Sequence, residues 1–233
     1  MLTFFAAVCI WEFSKIVQLK SFVPYILLAY IIYISIQIVP FKYIHFLTGA
    51  TLVGLFILIY LLISKKPINT NTYSQKVFLQ MLYIILPFYF LIQLPFIDNQ
   101  YQPYIIIYCI LLIWTNDSFA YLVGKNLGKR KLFETVSPKK TIEGFLGGML
   151  FAIILGGLIG YFSTLFTILN WIIIAVIVAV FGTLGDLVES KFKRQAGVKD
   201  SGTIMPGHGG LLDRLDSLFF LAPFVYLYIH YVL

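Results

Sequence analysis

Eight apolar runs, at positions 2–18, 22–39, 43–63, 77–96, 104–123, 142–162, 169–188 and 215–232, take up most of this 233-residue chain. Each approaches the roughly 20 residues that a tilted helix needs to cross about 30 Å of hydrocarbon. The expected fold is therefore all-α, a polytopic transmembrane helix bundle of about eight spans. A mean hydropathy of +0.91 with 12% charged residues lies far outside the range of a soluble domain. No long polar tail remains to build a second one. Residues 1–233 are read as one integral membrane domain, with 1–113 mainly scaffold helices and 114–233 carrying the chemistry.

Threading the runs alternately through a bilayer places 16 of the 17 Lys and Arg residues on one side and leaves Lys42 opposite. By the positive-inside rule the rich side is the cytoplasm. Both termini then lie outside, yet Met1 has neither a basic flank nor a cleavable signal pattern after it. The first run is also short and carries Glu12 and Lys15. These features point to an N-terminal span missing from this chain or a start that lies upstream; the alternative is a re-entrant or interfacial first segment. Cys9 and Cys109 sit inside apolar runs without a partner motif and are read as small core hydrophobes.

The densest ionisable chemistry falls in residues 186–217, DLVESKFKRQAGVKDSGTIMPGHGGLLDRLDS. Acids and cations beside membrane helices are expensive, which makes this stretch the candidate site. Asp186, Ser190 and Lys193 are spaced i, i+4, i+7, so a helix continuing past Val188 stacks them on one face. Asp213, Asp216 and Ser217, at i, i+3, i+4, share a face of the first turns of the last helix. Two such oxygen-rich helix ends suit Mg²⁺, which takes one or two carboxylates together with phosphate oxygens and water. No His or Cys pair has the spacing of a soft-metal site.

Between these helix ends, GHGG at 207–210 follows Pro206, and such glycines let backbone N–H groups approach an anion. Lys191, Lys193, Arg194, Lys199 and Arg214 surround it. Their bland reading is the ordinary cytoplasmic charge bias. Company with Asp186, Asp200, Asp213 and Asp216 favours a phosphate-bearing ligand instead. A second constellation, SPKKTIEG at 137–144, sets Lys139 and Lys140 before the N-terminus of the sixth run. Asp117, near the same end of the fifth run, wants a cation that Lys139 or Lys140 can supply. Gly147, Gly148 and GGLIG at 156–160 are read as helix-packing positions. His45 and His230 are read as structural, and His208 alone has a functional setting.

The run SKFKRQAGVKDSGTIMPGHGGLLDRLDS, with GDLVES before it and SPKKTIEGFLGG upstream, closely resembles the signature of the phosphatidate cytidylyltransferase family. The resemblance extends from about Trp114 to the C-terminus. Earlier, Trp11-Glu12 stands where the family has a Tyr-Glu or similar pair after one further transmembrane helix. The resemblance implies a reaction of CTP with phosphatidic acid that gives CDP-diacylglycerol and pyrophosphate. It implies a metal centre built from Asp186 and Asp213, holding Mg²⁺, with room for a second, monovalent cation such as K⁺, with Ser190 and Lys193 nearby and Asp216 also catalytic. Arg194, Lys199, Asp200, His208, Gly209, Gly210 and Arg214 would line the substrate pocket. Lys139 and Lys140 are candidates for substrate phosphates.

On this reading the partners are CTP, phosphatidic acid and membrane lipid, with no nucleic acid. Aromatic residues make up 18% of the chain, and interfacial belts account for them without base stacking. The implied setting is a bacterial inner membrane with the site facing the cytoplasm, and the glycine faces raise a homodimer. Two alternatives stay open: another CTP-dependent lipid enzyme of related architecture and, in a different class, an anion transporter. Against transport, no inverted repeat is evident and the charge is concentrated on one side.

Overall fold

A computed structural model describes residues 2–36, 41–97, 100–205, 207 and 209–233. It is a bundle of α-helices: α1 (Leu2–Ile16), α2 (Val23–Ile36), α3 (Phe41–Ile63), α4 (Tyr73–Gln80), α5 (Leu86–Gln93), α6 (Tyr104–Leu127), α7 (Ile142–Phe162), α8 (Ile168–Gln195) and α9 (Leu212–Tyr231). Strands are confined to two short hairpins, β1 (Phe96–Ile97) with β2 (Gln100–Tyr101), and β3 (Lys131–Phe133) with β4 (Ser137–Thr141). Five described segments are long and apolar enough to cross a membrane: Ile44–Ile63, Tyr73–Gln93, Tyr104–Leu127, Ile142–Phe162 and Ile168–Gln195. The eight expected runs each coincide with one helical rod.

The fourth rod joins α4 to α5 through a π-helical turn, Met81–Ile85. Pro87 follows it and has no N–H to give to the carbonyl four residues back, which accounts for the widened turn there. Tyr83 in that turn packs on Phe13 of α1 and Phe192 of α8, with ring centroids 5.3 and 5.4 Å away. Phe13 and Phe192 meet edge to face at 4.9 Å. This aromatic contact seats the inner face of α1, although α1 has only 15 residues.

Helices α6 to α9 pack in sequence order, each on the next. Glycine lets α7 approach closely: a Cβ at Gly148 would press on the Asn116 carbonyl oxygen at 2.5 Å, and one at Gly156 on the Trp171 carbonyl oxygen at 2.8 Å. The packing role read from these glycines is met inside the chain, between α7 and its neighbours α6 and α8. They therefore lend no support to a homodimer.

The ends of the rods sort as alternate threading requires. At one end His230 bonds the Phe96 carbonyl at 2.9 Å, Gln93 the Ser35 carbonyl at 3.1 Å, and Tyr228 bonds Asn170 at 3.1 Å. At the other, Lys76 bonds the Gln18 carbonyl at 3.0 Å, and Ile68 N–H donates to Gln195 at 3.2 Å. Lys191, which the sequence places beside a phosphate-bearing ligand, is spent here. It is buried, and its ammonium donates to the carbonyls of Leu61 at 2.5 Å and Lys66 at 2.6 Å, closing the C-terminal end of α3 against α8.

Replacing Lys191 with Met strands both carbonyls, so the unfolding midpoint in detergent should fall, by about 1–3 kcal/mol of stability. An unchanged midpoint for Lys191→Met would rule the clamp out.

Candidate active site

Helix α8 has 28 residues. At 1.5 Å per residue it is about 42 Å long, longer than the hydrocarbon is thick, so its last turns reach the basic end of the bundle. Those turns carry Asp186, Glu189, Ser190 and Lys193. Ser190 donates to Asp186 at 3.2 Å, the i, i+4 pair expected from spacing. Lys193 reaches across to α9: its buried ammonium bonds Glu189 at 2.8 Å and Asp213 at 2.5 Å. Desolvating an ammonium is tolerated only with such paired acceptors.

Asp213, in the first turn of α9, has every donor close at hand. Its Oδ2 accepts from Gly210 N–H at 2.8 Å, Ser201 N–H at 2.9 Å and the Ser201 hydroxyl at 3.0 Å. The anion that the glycine loop meets is thus the chain's own carboxylate. Asp213 precedes the apolar part of α9; burial pushes its carboxyl up, but the bonds from Lys193, Gly210 and Ser201 outweigh this and hold it below the usual range. The loop backbone is left-handed at Gly207 (φ 74°) and Gly209 (φ 85°), where other residues are strained. Met205 N–H bonds the Gly209 carbonyl at 3.0 Å and closes the turn.

One group of acids with the geometry to hold a cation includes Asp186 of the expected pair and leaves out Asp213. Among the described residues, Asp186, Glu189 and Asp216 offer oxygens that all lie within 4.8 Å of one another. Asp213 is drawn aside by Lys193 and the loop amides, and joins the group only through Lys193. Glu189 Oε1 is buried and has no hydrogen-bond partner among the described residues.

Lys140 arrives from the β3–β4 hairpin and forms an ion pair with Asp186. The hairpin is clipped to the start of α7 by Glu143, which accepts from Lys129 N–H at 3.0 Å and Arg130 N–H at 3.1 Å. Thr141 caps the same helix through Gly144 N–H at 3.1 Å. Lys139 is exposed on the hairpin and makes no part of this cluster. Arg194, Lys199, Asp200 and Arg214 are exposed around the loop, Arg194 bonding the Val198 carbonyl at 3.0 Å. Gly209 and Gly210 hold the loop as described, and His208 lies outside the described residues. Ser217 bonds the Gly182 carbonyl at 3.0 Å and ties α9 to α8.

Two acids were given no place in the site by the sequence. Glu189 sits inside GDLVES, one turn before Lys193, and its burial was the missing fact. Glu12 on α1 is fully buried and accepts from Leu211 N–H at 3.1 Å and Leu212 N–H at 2.7 Å, at the start of α9. A lone acid within an apolar helix was the available signal for it.

Fold and site together define a polytopic membrane protein with a cluster of acids and lysines, suited to a hard cation, at its basic end. Residues 1–232 match the family described as "Cytidylyltransferase family", and the chain belongs to it. Among curated proteins, the phosphatidate cytidylyltransferase of Bacillus subtilis (strain 168) is 45% identical over 161 residues, 68% of this chain and 60% of that protein. The phosphatidate cytidylyltransferase of Staphylococcus aureus (strain COL) is 52% identical over 120 residues, 51% of this chain and 46% of that protein. That of Staphylococcus haemolyticus is 48% identical over the same length. The chain thus spans about half the length of the curated relatives it matches.

Lys193→Met would leave Glu189 and Asp213 facing each other without their shared cation. A loss of about 3–5 kcal/mol is expected on unfolding in detergent, and wild-type stability in this variant would contradict the bridging role.

Proposed function

We propose that this chain catalyses the transfer of a cytidylyl group from CTP to phosphatidic acid, giving CDP-diacylglycerol and pyrophosphate at the cytoplasmic face of a bacterial inner membrane. The observation that carries the reading is the identity of 45% and 52% to proteins named for this reaction. The site chemistry agrees with it. A phosphomonoester with a second pKa of about 6 is already an anionic nucleophile near neutrality, so no strong general base is needed. Its oxygen forms a bond to the α-phosphorus of CTP as the bond to the bridging oxygen of pyrophosphate breaks. Position and charge neutralisation then dominate the work of the protein.

Asp186, Glu189 and Asp216 would hold a divalent cation, Mg²⁺ being the best match to an all-oxygen donor set. When bound, such an ion supplies charge stabilisation to the transferring phosphoryl group and its leaving oxygen. Lys140, paired with Asp186, is placed to pass its ammonium to a phosphate. Lys193 fixes Glu189 and Asp213, and Ser190 steadies Asp186. The exposed Lys139, Arg194, Lys199 and Arg214 form the cationic approach for the triphosphate, with Asp200 among them. The three acids supply the ligands for one divalent ion.

The test is conversion of labelled CTP by purified protein in lipid micelles, with phosphatidic acid and a panel of other lipid phosphates as acceptors. CDP-diacylglycerol should form with Mg²⁺ and stop reversibly with EDTA. Glu189→Gln and Asp216→Asn should each lower turnover by at least about 100-fold. Metal-independent turnover, or a clear preference for another acceptor, would refute the corresponding part of the reading.

A further inference from the structure

Glu12 lies about one turn before the end of α1 with no exposed surface, and the reaction above leaves it unused. Among the described residues its partners are three donors, none of them a cation. Oε1 accepts from Leu211 N–H at 3.1 Å, and Oε2 from Leu212 N–H at 2.7 Å and the Ser201 hydroxyl at 3.3 Å. Leu211 is the N-cap residue of α9, and its side chain makes no capping bond. A helix leaves its first N–H groups without partners of its own, and its positive end favours an anion. Glu12 supplies both the acceptor and the charge, from a helix 199 residues away in sequence.

The same carboxylate reaches the acids of the site. The Ser201 hydroxyl, with one proton to give, lies between Glu12 Oε2 at 3.3 Å and Asp213 Oδ2 at 3.0 Å. Asp213 stands in the turn that Glu12 caps, and Asp216 follows one turn later. The loop is built to admit the carboxylate: a Cβ at Gly202 would press on Glu12 Cδ at 3.0 Å, and one at Gly210 on Glu12 Oε2 at 2.6 Å. Helix α1 is itself fixed by Phe13 against Phe192 at 4.9 Å, next to the turns of α8 that bear Glu189 and Lys193.

We propose that Glu12 is a positioning residue for the cation site: from α1 it caps α9 and so sets where Asp213 and Asp216 stand relative to Asp186 and Glu189. This rests on the reading of Asp186, Glu189 and Asp216 as cation ligands. A Gln at this position keeps the shape but offers the N–H donors an uncharged acceptor at best and an opposing NH₂ at worst.

The test is Mn²⁺ titration followed by electron paramagnetic resonance on the purified full chain in detergent, without nucleotide, with folding checked by thermal melting. Folded Glu12→Gln should bind Mn²⁺ about 10–100-fold more weakly than wild type. Glu12→Asp, which keeps the charge on a shorter stem, should fall between the two, and takes the place of Glu12→Gln should that variant not fold. A merely structural anchor would lower the melting point and leave Mn²⁺ affinity per folded molecule at the wild-type value, and that result overturns the proposal. Failure of the wild type itself to bind Mn²⁺ would instead bring down the cation reading of the three acids, and this inference with it.

Discussion

The buried ammonium of Lys193, held between Glu189 at 2.8 Å and Asp213 at 2.5 Å, is the contact on which the basic end of the molecule depends. It sits where α8 and α9 would otherwise bring two acids together in a poorly solvated space. With the bridge in place, the two helices can each present a further acid, Asp186 and Asp216, to the same small volume. Burial makes the arrangement unforgiving: an ion pair of this kind adds little net stability when intact, yet losing one member leaves an uncompensated charge. What the bridge provides is a fixed geometry for acidic oxygens packed close together.

The remainder of the bundle can be understood as support for that geometry. The turns of α8 beyond the apolar core are held by Lys191 on the end of α3 and by Phe192 on α1 and the π-helical turn. The N-terminus of α9 is held by Glu12, and the loop before it by Asp213 and two left-handed glycines. On the opposite flank, the β3–β4 hairpin is fastened to α7 so that Lys140 reaches Asp186. The bonds of Lys191 and Glu12 lie where water is scarce, so they are worth more as constraints on position than as sources of stability.

Periodicity and charge bias made the rods and their alternation legible, because a bilayer demands long apolar helices and penalises cations on the wrong side. Local spacing likewise foretold Asp186 beside Ser190. What spacing could not reveal was which neighbour each charge would choose across helices. Lys191 has the same local setting as Lys193, yet one turns to the carbonyls of α3 and the other to the acids of α9. Asp213 and Asp216 share a helix face, but the loop amides claim the first and leave the second to the acid cluster. The role of Glu12 was hidden for the same reason: its partners come from 189 or more positions away, on elements whose packing no local pattern encodes, whereas Glu189 bonds Lys193 one turn on and only its burial was out of reach of the sequence.

The central claim is that Asp186, Glu189 and Asp216 form the cation site, with Asp213 serving through Lys193. Crystals soaked in Mn²⁺ and examined by anomalous diffraction would test it most directly. The expected result is a peak at about 2.0–2.2 Å from carboxylate oxygens of those three residues, the range of small divalent ions on oxygen. A peak coordinated by Asp213 with Glu189 uninvolved, or no peak at this end of the bundle, would contradict it.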